Sequence, residues 1–409
     1  MDGGTGLDTF NTTGMIGANI EGTGTGTVTG TVINLGTTAI SNIAVDNVSA
    51  EFLPAGLTSV PGGTVAYQFG SGTLNTDSTV TTTITNVENI VLAANGANYV
   101  AGSTGADSVQ IGTGVDYVTL GKGNDAVTGV VGSLTTADFL LLGTGTNTVT
   151  FTNAAFTSTI DDSVGVSSVT VTTTASTDNP TVVLSFTATN TTDTSFDLST
   201  LVAGEDSTVT LSDAQAAGDY TVVTCAGADT IAGGVGANTI TGGLGRDLMS
   251  GNTAADTYIF ATRVETSNSK AAGDINANKI DSITNYSIAL DTIQLGLGTN
   301  AFGAALTFTG ATTAVIAGTV ALSANLANLG AVMTAVEAAQ AGIASTPANA
   351  HVTIVTIAAT ASIGSDFDTN SAGTYMVIND NIAALAETDT IINITGLTGT
   401  IVAADLTFV

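Results

Sequence analysis

Histidine, cysteine, tryptophan and basic residues are scarce or missing in this 409-residue chain, and each shortage excludes a class of function. His351 is the single histidine, which rules out a multi-histidine zinc site and the H-E-x-x-H protease motif. Five Lys+Arg stand against 34 Asp+Glu, a formal net charge of −29. Such a chain offers no basic face to a nucleic acid and is repelled by an anionic membrane surface. None of the five basic residues sits in a phosphate-loop pattern. With one cysteine, Cys225, no intramolecular disulfide forms, and its apolar, Gly-rich surroundings make it a small buried hydrophobe. Apolar stretches are broken by Thr, Gly or Ser well short of the roughly 18 residues of a membrane-spanning helix. The opening MDGGTGLDTF lacks the basic n-region and apolar h-region of a secretory signal peptide. No catalytic constellation stands out, and no enzymatic activity is expected.

What is present favours strands. Hydrophobic residues make up 43% of the chain, enough to exclude a fully disordered polymer. They are mostly small or β-branched, aromatics are 5%, and Gly numbers 49, a mixture suited to many short strands joined by turns. Of the acids 27 are Asp and 7 are Glu. A merely solubilising surface has no reason to prefer the shorter side chain. Tight turns, and sites for hard cations, do.

Internal repeats decide the reading. Residues 93–128 divide into the nine-residue units AANGANYVA, GSTGADSVQ, IGTGVDYVT and LGKGNDAVT. Their sixth residues are Asn98, Asp107, Asp116 and Asp125; their eighth residues are Val100, Val109, Val118 and Val127. A second tract, 224–259, reads TCAGADTIA, GGVGANTIT, GGLGRDLMS and GNTAADTYI, with Asp229, Asn238, Asp247 and Asp256 sixth. A lone copy at 3–11 carries Asp8 and Phe10, and a degenerate copy, LGTGTNTVT, covers 142–150. Asp used only as a turn former would not require an apolar eighth residue together with a glycine at the fourth.

These units resemble the hemolysin-type calcium-binding (RTX) nonapeptide G-G-x-G-x-D-x-U-x, in which U is a large apolar residue. The resemblance implies a right-handed parallel β-roll with two units per coil, so that residues eighteen apart stack. Asp107 then lies over Asp125 and Asp229 over Asp247 on one edge, Asn98 over Asp116 and Asn238 over Asp256 on the other. At the strand spacing of about 4.8 Å two carboxylates repel by about 1 kcal/mol in water and about 3–4 kcal/mol at an effective dielectric of 20. Calcium between the coils reverses that sign, with turn carbonyls, those of Gly112, Gly121, Gly234 and Gly243 among them, completing its shell. Where Asn replaces Asp the side-chain carbonyl still coordinates, but a charge is lost and binding weakens. Asp8 has no unit eighteen residues away and is the weakest candidate.

Five regions follow: a β-rich segment over 1–90 opening with one nonapeptide, a first calcium roll over 91–150, a β-rich spacer over 151–222, a second roll with closing strands over 223–300, and a small α+β region over 301–409. The fold class is thus mainly β: β-rolls with intervening β segments and one amphipathic helix. That helix is predicted over 322–340, where Leu322, Leu326, Leu329, Met333, Val336 and Ala339 share a face. Strands are predicted at 351–359, 373–380 and 389–397. The ending DLTFV resembles the uncleaved C-terminal signal of type I secretion substrates. Composition is similar to that of RTX-bearing surface-layer proteins, which implies a calcium-dependent, self-assembling extracellular structural protein. The alternative is the calcium-folding and secretion module of a larger toxin, adhesin or hydrolase.

Overall fold

Each nonapeptide splits into a Gly-rich turn and a strand of three to five residues, because the first half cannot hold an extended side-chain pattern and the second can. In the computed structural model the eighth residues, Val100, Val109, Val118, Val127, Ile231, Ile240, Met249 and Tyr258, are all buried. Their strand neighbours, such as Gln110 and Thr230, face outward, the period-2 alternation of a half-buried strand. Burying one such Val or Ile contributes roughly 1.5–3 kcal/mol, repeated at every coil.

The structure describes residues 2, 5, 7–13, 28–39, 59–69, 73–74, 81–94, 97–130, 133, 138–152, 157–164, 166–172, 181–186, 193–201, 205–213, 218–260, 280–295, 313–322, 338, 349–357, 373–379, 390–397, 400–401 and 405–408. The chain divides into two compact units, Met1–Asp197 with Ser212–Ala216, and Leu198–Leu211 with Ala217–Val409.

In the first unit one parallel sheet runs through Thr9–Asn11, Asn89–Val91, Ser108–Gln110, Ala126–Val130, Asn147–Thr152, Val166–Thr172 and Thr194–Asp197. The other runs, again parallel, through Val28–Asn34, Ala97–Ala101, Asp116–Thr119, Phe139–Leu141, Thr157–Val164 and Thr181–Phe186. Thr64–Phe69 adds to Val28–Asn34 antiparallel. Successive units alternate between the two sheets. Ser108 therefore pairs with Ala126 and Asn98 with Asp116, the eighteen-residue register. Tyr99 and Tyr117, seventh in their units, stack on each other at a ring separation of 5.2 Å, and Tyr117 stacks on Phe139 at 4.3 Å.

In the second unit Tyr220–Val223, Thr239–Thr241, Thr257–Phe260, Thr292–Leu295 and Leu406–Phe408 form one parallel sheet. The Thr208–Leu211 part of the strand Thr208–Asp213, with Thr230–Ala232, Leu248–Ser250, Asp281–Thr284 and Thr390–Asn393, forms the other. Beyond Thr390–Asn393 the second sheet continues antiparallel through Gly373–Asn379 and Asn349–Ile357, and Thr313–Leu322 pairs with the last in parallel. His351 lies in Asn349–Ile357, opposite Val315 and Asn379 in register.

The three C-terminal strands expected from the sequence are therefore present. The amphipathic helix is not supported: Leu322, placed at its start, ends the strand Thr313–Leu322, where a β-branched run (TAVIAGTV) extends further than the helical spacing suggests. Ala338 alone is α-helical among the described residues; the remainder of 323–340 lies outside them.

Candidate metal centre

The sixth residue of most units stands at the last turn position before the strand, and its N–H meets the side chain of the residue stacked one coil further along. In three of the four sequence pairs that acceptor is a carboxylate. Asp107 N–H donates to Asp125 Oδ1 at 2.9 Å, Asp229 N–H to Asp247 Oδ1 at 2.9 Å, and Asn238 N–H to Asp256 Oδ1 at 2.8 Å. On the remaining edge Asn98 Nδ2 donates to Asp116 Oδ1 at 2.7 Å. The four sequence pairs are thus brought together, and every member is buried.

The ladders also continue past the eighteen-residue repeats. Asp116 N–H donates to Asp138 Oδ1 (2.7 Å), Asp125 N–H to Asn147 Oδ1 (3.0 Å), Asp247 N–H to Asp281 Oδ1 (2.7 Å) and Asp256 N–H to Asp291 Oδ1 (3.0 Å). These coils are 22, 34 or 35 residues long, so a fixed period does not find Asp138. Asp8 likewise acquires a stacking neighbour. The strand Thr9–Asn11 pairs with Asn89–Val91, and Asp8 N–H donates to Glu88 Oε2 at 3.1 Å. Glu88 in turn lies one coil from Asp107, since Asn89 pairs with Ser108. A signal for Glu88 existed in the apolar pattern NIVL that follows it, but not in any nonapeptide.

The second carboxylate oxygen separates the sites into two kinds. In Asp107, Asp116 and Asp291 it accepts the N–H four residues back, from Ser103 (2.7 Å), Gly112 (2.9 Å) and Ser287 (2.7 Å). In Asp125, Asp229 and Asp256 the Oδ2 is buried and has no hydrogen-bond partner. For Asp125 and Asp256 the second residue of the unit, Gly121 or Asn252, holds a positive φ of 91° or 77°, and its N–H is not spent on the carboxylate. Asp8 Oδ2 is also buried without a partner.

Burial dominates the electrostatics. It pushes Asp107 up to about 6, helped by the charges of Asp125 and Glu88, and Asp116 and Asp256 up to about 7, where Asp138 and Asp291 add repulsion. Asp125, Asp229 and Asp291 are raised for the same first reason. Desolvated anions stacked one per coil are unfavourable by themselves.

Among the described residues no three His, Cys, Asp or Glu side chains gather at one point. A cation here must therefore draw most of its oxygens from the backbone, a donor set that suits calcium and not zinc. The turns supply such oxygens at close quarters. A methyl group at Gly123 would overlap the Gly105 carbonyl, and one at Gly245 the Gly227 carbonyl; these glycines hold φ of 138° and 141°. The four glycines singled out by sequence differ in what they do. Gly234 presents its carbonyl to the Asn238–Asp256 step, whereas the Gly121 carbonyl accepts Thr144 N–H. Gly112 gives its N–H to Asp116, and Gly243 packs beneath the Cys225 carbonyl with φ 82°. The buried, partnerless oxygens of Asp125 and Asp229, beside stacked turn carbonyls, fit calcium, which would supply the positive charge these anions lack.

The family model of the RTX calcium-binding nonapeptide repeat matches residues 92–127 and 226–258, in four copies. Comparison with curated proteins and with solved structures gives no match. The matched residues contain the stacked pairs Asp107/Asp125 and Asp229/Asp247, each aspartate immediately before a strand of a parallel pair. Over these two tracts the chain carries RTX calcium-binding nonapeptide repeats.

Proposed function

We propose that the chain is a calcium-dependent extracellular structural protein that leaves the cell through a type I secretion apparatus and self-assembles into a surface layer or cell-surface matrix. The observation that carries the calcium dependence is the pair of buried, partnerless carboxylate oxygens at Asp125 and Asp229. In low-calcium cytosol these charges oppose folding; outside, where calcium is millimolar, sites of the usual extracellular affinity of about 10⁻⁴–10⁻³ M fill and the rolls over 91–150 and 223–300 close. The spacer over 151–222 joins them, and the region over 301–409 carries the export signal. No described helix is long and apolar enough to cross a membrane.

Lateral assembly follows the same electrostatics. Copies bearing a net charge of −29 repel one another until bound cations neutralise part of it. Negative-stain electron microscopy of the purified chain tests this. Sheets or filaments in calcium that disperse in chelator are expected. A chain that stays monomeric in calcium is instead the calcium-folded module of a larger toxin, adhesin or hydrolase. Export is tested separately by removing roughly the last 60 residues, which covers the terminal strands; undiminished export through a type I channel would overturn the secretion claim.

A further inference from the structure

Asn238 is the sixth residue of its nonapeptide, buried at the step to Asp256. Its side-chain nitrogen Nδ2 faces four oxygens at once: the carbonyls of Gly234 (3.0 Å), Gly236 (2.8 Å) and Gly251 (2.9 Å), and Asp256 Oδ1 (2.9 Å). An amide nitrogen carries two hydrogens, so four acceptors at this range exceed what its hydrogen bonds can use. Three carbonyls and a carboxylate, drawn from two units stacked one on the other, are the donor types a hard cation collects. The nitrogen sits at the point where they converge.

Turning the amide over would place Oδ1 among those four oxygens, five acceptors with no positive charge between them. Without an ion the nitrogen-inward arrangement is the one electrostatics requires, and its cost is visible: Asn238 Oδ1 is buried without a hydrogen-bond partner. A second amide reinforces the same turn, since Asn252 Nδ2 donates to the Gly233 carbonyl and lies 3.4 Å from that of Gly234. The other ladder asparagines are oriented alike. Asn98 Nδ2 donates to Asp116 Oδ1, and Asn147 Nδ2 is directed to the Leu142 and Gly143 carbonyls at 3.4 and 3.3 Å.

We propose that the Asn238 side-chain amide takes the place of a cation, making the Asn238–Asp256 step a calcium-independent clasp inside a calcium-dependent roll. The sequence-level expectation that asparagine ligates calcium through its oxygen gives way here to a nitrogen that replaces it. Aspartate at this position would face Asp256 with no positive charge between them. Because a roll is stabilised through nearest-neighbour contacts, one preformed step lowers the cost of adding coils once calcium arrives. The inference rests on the calcium reading of the neighbouring Asp steps.

The test uses the full chain, wild type and Asn238→Asp, with hydrogen exchange read on peptides spanning 238–241 and 256–260 in chelator and in about 10 mM calcium, roughly ten times the weak end of extracellular affinities. Wild type should retain protection there in chelator. Asn238→Asp should lose it by about tenfold or more, regain it in calcium, and bind one additional calcium ion by equilibrium dialysis. Asn238→Ala, lacking both amide and carboxylate, should lose protection under both conditions. Equal chelator protection in wild type and Asn238→Asp overturns the clasp, as does an unchanged ion count with only altered affinity. If neither protein binds calcium, the proposed function fails, while the comparison in chelator still decides the clasp.

Discussion

Asp125→Asn should change stability in opposite directions with and without calcium. The substitution keeps the Oδ1 that accepts Asp107 N–H at 2.9 Å, so the coil-to-coil hydrogen bond survives. It removes one of two buried charges stacked at about the sheet spacing of 4.8 Å. Their repulsion is about 1 kcal/mol at the dielectric of water and about 3 kcal/mol at an effective dielectric of 20. In chelator at pH 8 the variant should therefore gain about 1–3 kcal/mol. In calcium the same change deletes a formal charge from the ion's surroundings, and the calcium midpoint should rise by about tenfold or more, the equivalent of about 1.4 kcal/mol. Urea unfolding followed by circular dichroism in the two conditions measures both. Asp116→Asn is the control: both Asp116 oxygens already accept hydrogen bonds, from Asn98 and Gly112, so its calcium midpoint should move less. A loss of stability in both conditions for Asp125→Asn, or equal midpoint shifts in the two variants, would refute the reasoning.

Three further outcomes are expected. Asp107 near 6 and Asp116 and Asp256 near 7 lie above their unfolded values of about 3.9, so the folded chain holds extra protons between those limits. Their contribution is complete below about pH 4 and lost as pH rises through 6–7; the calcium-free chain should be more stable at pH 5 than at pH 8 by thermal unfolding, and the opposite slope would contradict the burial of these carboxylates. Gly123→Ala would force a methyl against the Gly105 carbonyl at a φ of 138°, and should destabilise the first tract by about 1–3 kcal/mol or more even in saturating calcium, read as a lower urea midpoint. The Cys225 thiol, pushed up to about 12 by burial and then by the Asp229 charge, donates to the Glu205 carbonyl. In calcium it should resist alkylation at pH 8, and react readily once the second tract is unfolded, as followed by mass spectrometry.

The parts of the fold that repeat were legible in the sequence. An apolar eighth residue and an acidic sixth recur every nine residues, and the two-unit coil implied by the resemblance to the RTX repeat places Val109 over Val127 and Asp107 over Asp125. The parts that depend on coil length were not. Asp138 lies 22 residues from Asp116, and the residues between Asp8 and Glu88 interrupt the ladder without ending it, so neither contact has a period to reveal it. Leu322 misled for a different reason: small apolar residues rich in Ala satisfy helical spacing and strand pairing alike, and the partner strand Asn349–Ile357, far away in sequence, settles which forms. The orientation of the Asn238 amide was likewise illegible, since it is set by carbonyls of Gly234, Gly236 and Gly251 whose directions depend on the folded turns.

The most direct measurement is calorimetric calcium titration of the intact chelator-treated chain, with circular dichroism recorded at the same points. Saturable binding of several ions around 10⁻⁴–10⁻³ M, accompanied by a cooperative gain of β signal, is expected. A spectrum unchanged from chelator to about 10 mM calcium, with no binding heat, would contradict the claim that these stacked carboxylates are calcium sites on which the fold depends.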